Sequence, residues 1–313
     1  MDKIDTKILL ALDKNVRATF QEIGKAARIS KEVAQYRLKR LQDNKIITGF
    51  YGIVNVPKLG YSILKVLVKY QSVSKAIQLK IRDDLRNSPI ISWAAECEGA
   101  YDLTFTIAAK NFKEIAEFMN SFFTNYGSYF KEKEIVIPER HFAFNEKYLS
   151  KGNLIYVDTL YMHQEQEYLD DKDLIILREL SLNSRKSFTD IGKKVNLTYW
   201  AVSERYKKLK KNEYITLLKP RINFSKLGLS YYHVFIESGK ESIKKSMSNY
   251  YTQHPACITL MTHTGFYSLH LEFVCTDADI NSIILDLREN FGELIKSYEL
   301  LKIKEEYHLN ILR

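Results

Sequence analysis

Residues 2–62 of this 313-residue chain align with residues 170–230 at a shift of 168, with no insertion on either side. Twenty-two of the 61 positions are identical, among them Ile23-Gly24-Lys25 with Ile191-Gly192-Lys193 and Lys58-Leu59-Gly60 with Lys226-Leu227-Gly228. Chance gives a few identities over that length, so one folding unit was duplicated. A structure for this chain must therefore hold two copies of it. Two copies at so long a period exclude a solenoid.

Each copy reads as three short helices. Ile4, Ile8, Leu9 and Leu12 fall on one stripe at helical spacing, with Asp2 or Asp5 at the positive helix end. Phe20, Ile23, Gly24 and Ala27 make a second helix of about two turns. Arg28-Ile29 then turn the chain, and Ser30 caps a third helix, as Thr198 does in the second copy. On helix three Ala34, Leu38 and Leu41 point inward, matched by Val202, Tyr206 and Leu209. The segment "NKIITGFYGIVNV" that follows alternates like a strand and predicts a small β-wing. The unit is a winged helix-turn-helix.

A looser repeat follows each headpiece. "ILKVLVKYQ" predicts a strand, 74–86 a helix, "IISWAAECEG" and "AYDLTFTIAAK" two strands, 112–123 a helix and "EKEIVIPERHF" a last strand. That order, β-α-β-β-α-β, is ferredoxin-like. "YYHVFIES", 240–251, "CITLMTHTG", "FYSLHLEFV", 279–290 and "IKSYELLKIKEE" repeat it. The expected fold is α+β: two winged helix-turn-helix domains, each followed by a ferredoxin-like regulatory domain. The boundaries read 1–60, 61–145, a connecting segment 146–168, 169–229 and 230–313. The connector lacks the Gly, Ser or Pro of a free linker and is expected to pack, with "LIYVDTLYM" as an extra strand or docking segment.

Charge singles out the duplicated block. Residues 1–60 hold 12 Lys+Arg against 6 Asp+Glu, and 169–228 hold 14 against 7. The two windows carry +6 and +7 of a whole-chain +9, leaving the other 193 residues at −4. Such segregation, with an acidic remainder, points to two polyanion-binding modules on a neutral scaffold. On helix three, Lys31, Glu32, Gln35, Lys39 and Gln42 face out, flanked by Arg37 and Arg40. Cations on such a face neutralise phosphates, and Gln35 can hydrogen-bond a base edge in the major groove of duplex DNA. The second copy offers Tyr199, Trp200, Ser203, Lys207, Lys208, Lys210 and Lys211, flanked by Arg205. The expected DNA-contacting set is Ser30, Lys31, Gln35, Arg37, Lys39, Arg40, Thr198, Tyr199, Ser203, Arg205, Lys207 and Lys208.

The opening "DKIDTKIL", the F-x-E-I-G of helix two, the S-K-E-V-x-x-R-L-K-R-L of helix three, "IITGFY" and the closing K-L-G resemble the N-terminal domain of the Lrp/AsnC (feast/famine) transcriptional regulators. The sheet domain resembles that family's regulatory domain, with "EGAYDL" matching its G-x-Y-D turn. The resemblance covers nearly the whole chain. It implies pairing of the ferredoxin-like domains sheet to sheet, further homo-oligomers, and an amino-acid effector near Gly99, Tyr101 and Asp102, and near Gly265 and Tyr267. In the second copy Ser268 replaces the Asp of that turn. Family members usually carry one unit of each kind, so two in one chain imply a covalent pseudo-dimer reading two half-sites. The two recognition helices differ, so those half-sites need not be palindromic.

The same architecture resembles the siroheme decarboxylases, which use His and Arg of the regulatory domain; His254, His263, His270 and Arg140-His141 are the residues here to weigh. His254, Cys257, His263, His270 and Cys275 match no compact metal-ligand spacing. GxxxxGK[ST], GxGxxG, HExxH and GxSxG are absent. The expectation is a DNA-binding regulator and not an enzyme, without cofactor or metal, and with the decarboxylase as the alternative. Cys97, Cys257 and Cys275 read as ordinary buried thiols. With no signal peptide and no apolar run of the roughly 18 to 20 residues that span a bilayer, a cytoplasmic, nucleoid-associated protein is expected.

Overall fold

A computed structural model describes residues 1–149, 156–161, 168–308 and 312. The first headpiece is α1 (Lys3–Lys14), α2 (Phe20–Ala27) and α3 (Lys31–Asp43), followed by β1 (Ile47–Val54). Next come β2 (Ser62–Tyr70), α4 (Lys75–Asn87), β3 (Ile91–Gly99), β4 (Leu103–Ala109), α5 (Phe112–Tyr126), β5 (Phe130–Phe144) and β6 (Tyr156–Leu160). The second headpiece is α6 (Asp171–Leu182), α7 (Phe188–Val195) and α8 (Tyr199–Lys211), followed by β7 (Ile215–Ile222). The chain closes with β8 (Ser230–Glu237), α9 (Ser242–Gln253), β9 (Cys257–Gly265), β10 (Leu269–Cys275), α10 (Asp277–Phe291) and β11 (Ser297–His308). The expected fold class is found: two helix-turn-helix units, each followed by a β-rich unit. Among the described residues no helix is long and apolar enough to cross a membrane.

Short polar side chains start the headpiece helices. The Asp2 carboxylate accepts from the Ile4 and Asp5 amides at 2.9 Å, and Ser30 and Thr198 each accept an amide three residues on at 3.2 Å. Such a cap contributes about 1 kcal/mol. The repeated glycines have a steric cause. A Cβ on Gly24 would stand 2.8 Å from the Ile29 carbonyl oxygen, and one on Gly192 would stand 2.4 Å from that of Leu197. The turn into the recognition helix crosses the preceding helix too closely for any side chain.

The wing differs from expectation. β1 and β7 do not form separate hairpins; they pair with each other in an antiparallel two-stranded ribbon, with Tyr51 opposite Lys219. The strands also exchange cores. Val54 and Val56 pack among Ile176, Leu177 and Leu180 of the second headpiece, while Ile222 packs among Ile8, Leu9 and Leu12 of the first. Each three-helix unit thereby fills its apolar face with the other's strand, which removes apolar surface from water and fixes the two units together.

The β-rich units meet face to face, with Lys65 3.5 Å from His270 across the interior, and they also join edge to edge. Within each half the strand order is ferredoxin-like: β5-β2-β4-β3 and β11-β8-β10-β9. The last strand of each half then pairs across, β5 with β9 and β11 with β3, so eight strands close on themselves with β6 added beside β5. Closure removes free strand edges, and eight strands leave an interior that side chains fill or that holds one small ligand. α4, α5, α9 and α10 pack outside on apolar residues such as Val66, Phe105, Val234 and Phe273. Strand alternation sends the intervening residues inward, where Leu67, Tyr101, Val136, Phe235, Tyr267 and Leu301 form the hub.

The connector packs as expected where it is described. Tyr156–Leu160 is a strand, and Glu146 is buried against Lys219 at 2.5 Å. Leu154, Ile155 and Met162 of the "LIYVDTLYM" patch lie outside the described residues.

Candidate nucleic-acid interface and central cavity

The outer faces of α3 and α8 divide their cations into two groups. Lys31, Gln35 and Lys39 are exposed on α3, and Lys207, Lys208, Lys210 and Lys211 on α8. Lys39, Gln35 and Lys208 make no side-chain hydrogen bond or ion pair among the described residues, and Lys207 pairs with exposed Glu204 at 2.7 Å. The arginines are held instead. Arg37 donates to Asp2 at 2.6 Å and Asp5 at 3.0 Å, Arg40 reaches Asp5 at 2.9 Å, and Arg205 repeats the pattern with Asp170 and Asp173 at 2.9 and 2.8 Å. These ion pairs tie each recognition helix to the start of the first helix of its own headpiece. They take Arg37, Arg40 and Arg205 out of the freely available phosphate-binding set.

Ser203, expected on the DNA face, is buried in the headpiece: its short side chain ends close to the helix at the position where the longer Gln35 of α3 reaches solvent. Ser30 and Thr198 are exposed, and each spends its hydroxyl on the helix cap. Tyr199 and Trp200 stand out from the first turn of α8, Trp200 at 75% exposure, with Tyr199 edge-on against it and Phe188 behind. Tyr36, 66% exposed on α3, was not singled out by sequence reasoning. Its exposure at that helix position was the available signal.

The repeated arginines Arg17 and Arg185 link the headpieces reciprocally. Arg17 donates to the carbonyls of Ser184 and Lys186 at 2.5 and 3.0 Å and lies 4.1 Å over the Phe188 ring. Arg185 donates to the carbonyls of Val16 and Ala18 and lies over Phe20 and Phe50. Burial lowers the pKa of both guanidinium groups. Two cations counted toward polyanion binding are thus committed to holding α3 and α8 in a set relation.

The G-x-Y-D turns meet at the hub. The Tyr101 and Tyr267 hydroxyls lie 2.8 Å apart, and the rings pack edge to face. Asp102 accepts from Lys69 at 3.1 Å and from the Tyr70 amide at 2.8 Å. Gly99 and Gly265 hold matching positive φ of 133° and 129°. The proposed effector residues therefore come together, with their polar groups turned on one another and on the backbone.

A cavity of about 240 Å³ lies between this barrel and the ribbon. The ribbon roofs it with Tyr51–Val54 and Lys219–Ile222; Lys65, Trp93, His141, Tyr161, Glu272 and Glu306 line it below. Burial, then Lys65 and Lys219, pushes His141 down to about 4. Its Nδ1 lies 3.1 Å from the Tyr161 hydroxyl. Beside the cavity His233, His263 and His270 are buried, and burial followed by Lys65 holds all three well below the ordinary imidazole range. Burial also lowers Lys65.

Of the histidines weighed from sequence, His263 and His270 come together, with ring centroids 5.9 Å apart. His254 packs on Tyr251 and Phe273 on the helix side, and Arg140 pairs with Asp158 at the surface. The three cysteines are buried and free, each thiol pushed up to about 12 by burial. Sequence reasoning missed Lys65, His233 and Glu272. The signal was their parity: each shares the inward face of its strand with hub residues, His233 with Phe235 and Lys65 with Leu67.

The AsnC-type helix-turn-helix domain matches residues 1–42 and 169–210, one match in each headpiece. The HTH-type transcriptional regulator Ptr1 of Methanocaldococcus jannaschii is 32% identical over 119 residues, 38% of this chain and 79% of that protein. The HTH-type transcriptional regulator FL11 of Pyrococcus furiosus is 31% identical over 121 residues, 38% of this chain and 78% of that protein. Among solved structures, that of the siroheme decarboxylase NirDL superposes with a TM-score of 0.65 at 14% identity, covering 98% of this chain and 92% of that one. NirDL in co-complex with an iron-uroporphyrin III analogue gives 0.63 at 13% identity.

The NirDL match corrects one expectation. An enzyme shares the whole tandem fold, headpieces included, so the expected exclusion of enzymatic activity does not stand. Identity this low carries the fold alone. Family membership rests on the headpieces and on the Ptr1 match: the chain belongs to the Lrp/AsnC family of helix-turn-helix transcriptional regulators, in a tandem form.

Proposed function

We propose that this chain regulates transcription by sequence-specific binding to duplex DNA, as a covalent pseudo-dimer at home in the cytoplasm on the nucleoid. The observation that carries the reading is the pair of exposed faces on α3 and α8. Their lysines are free of the headpiece while the neighbouring arginines, tied to α1 and α6, hold each helix in place. Lys31, Lys39, Lys207, Lys208, Lys210 and Lys211 meet phosphates, and Gln35 reads a base edge. Tyr199 and Trp200 give the second half-site a different, apolar contact. Small-molecule control falls to the central cavity, which Lys65, His141, Glu272 and Glu306 line, and not to the G-x-Y-D turns, whose polar groups meet one another and the backbone. Fluorescence anisotropy of the full chain on duplex DNA tests this. Affinity should fall with salt at a log–log slope of about −0.9 per phosphate contacted, and a flat dependence refutes it.

One observation favours a second reading. The cavity brings Lys65, His141, Glu272 and Glu306 together within the fold of a siroheme decarboxylase. Acid–base groups around an apolar-walled cavity suit decarboxylation of an acidic side chain. Size ranks this reading second: 240 Å³ lies below the roughly 300–1,000 Å³ of drug-sized sites, so a tetrapyrrole would need the ribbon to lift. Absorbance and mass spectra of siroheme incubated with the chain decide it: loss of carboxyl groups supports decarboxylation, and unchanged siroheme refutes it.

A further inference from the structure

His233, His270 and Glu272 converge at the wall of the central cavity. His233 and Glu272 are directly opposite across the β8–β10 pair, and His270 lies two residues before Glu272 on the same face of β10. Nε2 of His270 is 3.6 Å and Nε2 of His233 is 3.7 Å from Oε1 of Glu272, and all three donor atoms lie within 4.8 Å of one another. A tetrahedral ion with bonds of about 2.0–2.1 Å separates its ligand atoms by about 3.3 Å. A shift of a few tenths of an ångström closes the two carboxylate–imidazole edges around an ion, and the imidazole–imidazole edge, within 4.8 Å, has up to about 1.5 Å to close.

The nitrogens are also unemployed. Both ring nitrogens of His233 and Nε2 of His270 are buried without a hydrogen-bond partner, a state that costs about 1–3 kcal/mol per group unless something occupies it. Tyr231 donates to the other carboxylate oxygen, Oε2, which orients Glu272 with Oε1 toward the histidines. Glu272 lines the cavity, so a fourth coordination position opens there.

We propose that His233, His270 and Glu272 are the protein ligands of a divalent transition-metal site, zinc by the chemistry of its donors, with its open position facing the central cavity. The inference rests neither on DNA binding nor on decarboxylation. Among the described residues the cluster occurs once: in the first half the corresponding positions are Lys65, Thr104 and Thr106, read from Lys65 against His233 and from β4 against β10. Lys65 opposes the ion, since its Nζ stands 3.5 Å from the remaining nitrogen of His270. Its ammonium repels a cation and competes for that ring.

The test uses the full chain, stripped with chelator and titrated with zinc by calorimetry and with cobalt by visible absorption. The expected result is one equivalent of each metal, with cobalt d–d bands of tetrahedral intensity. His233→Ala and Glu272→Gln should weaken binding by about 100-fold or more, and Tyr231→Phe by about 10–100-fold. Lys65→Met, which removes the opposing charge, should tighten it by about 10-fold. His254→Ala, outside the cluster, should bind as the parent does. Absence of stoichiometric zinc heat and of cobalt bands overturns the proposal. So does retention of parental affinity in both His233→Ala and Glu272→Gln, which would place the metal elsewhere. Because Lys65→Met predicts a gain, misfolding of a ligand variant cannot imitate the full pattern.

Discussion

The division of cations on α3 and α8 makes a prediction that the sequence alone would reverse. By sequence, Arg37 and Arg205 are as good phosphate ligands as any lysine. In the structure they are bound to Asp5 and Asp173, while Lys31, Lys39, Lys207, Lys208, Lys210 and Lys211 stand exposed. Six lysines on six phosphates give a salt slope of about −5.4, and raising salt from about 50 to 200 mM then weakens binding roughly 1,800-fold. Lys39→Ala with Lys208→Ala removes two contacts, so the slope falls to about −3.6 and the loss to roughly 150-fold. Arg37→Ala with Arg205→Ala should leave the slope near −5.4. Its effect falls on the headpieces, whose thermal midpoint drops because Asp5 and Asp173 lose partners. Anisotropy titrations at four salt concentrations, with calorimetric melting of each variant, make the comparison. A slope that shallows for the arginine pair and holds for the lysine pair refutes the assignment of the DNA-facing cations.

Three further outcomes follow from the same geometry. Arg17→Ala should destabilise the chain by about 2–4 kcal/mol, since two charge-assisted hydrogen bonds and a ring contact are lost; urea unfolding of Arg17→Ala, Arg185→Ala and the double variant should show coupling of about 0.5–3 kcal/mol, and strict additivity argues against one joint clamp. His141 has a folded pKa of about 4 against an ordinary 6.5, so the unfolded chain binds the extra proton and stability is lost as pH falls through that window. Between pH 7 and pH 5 that loss is about 2 kcal/mol, and His141→Gln should abolish it in urea unfolding at the two pH values; equal pH dependence of parent and variant contradicts the burial argument. Gln35→Ala should cost about 1–3 kcal/mol on the preferred sequence and little on others; a uniform loss on all sequences in competition anisotropy means Gln35 reads no base.

What was legible in the sequence was local. The repeat, the capped helices and the strand alternation are set by neighbours within a few residues, so both headpieces and the β-α-β-β-α-β order could be read directly. The partners of the strands could not. β1 carries the pattern of a wing, and only the presence of a second copy with an equally apolar β7 lets the two pair with each other. The crossing of β5 to β9 and of β11 to β3 is of the same kind, since alternation states which face is buried but not which edge is met. At the DNA face, Arg37 and Lys39 look alike in sequence, and their difference is the reach of each to Asp5. At the cavity, the residues weighed for ligand spacing included His254, Cys257 and Cys275, which match no compact pattern and lie on the helix side. His233 went unseen because its partner Glu272 is 39 residues away in the chain and directly across in the sheet. Aligning the two halves offered the missing signal, since Lys65, Thr104 and Thr106 in one become His233, His270 and Glu272 in the other.

The central claim is that both headpieces, held together by the β1–β7 ribbon and the Arg17/Arg185 contacts, grip one DNA duplex at once. Hydroxyl-radical footprinting of the full chain on a sequence selected from a random pool tests it most directly. The account predicts two protected patches, one helical turn of about 10–10.5 base pairs apart or a multiple of it, with different base preferences in the two half-sites. A single patch, or none at concentrations that saturate binding, contradicts it.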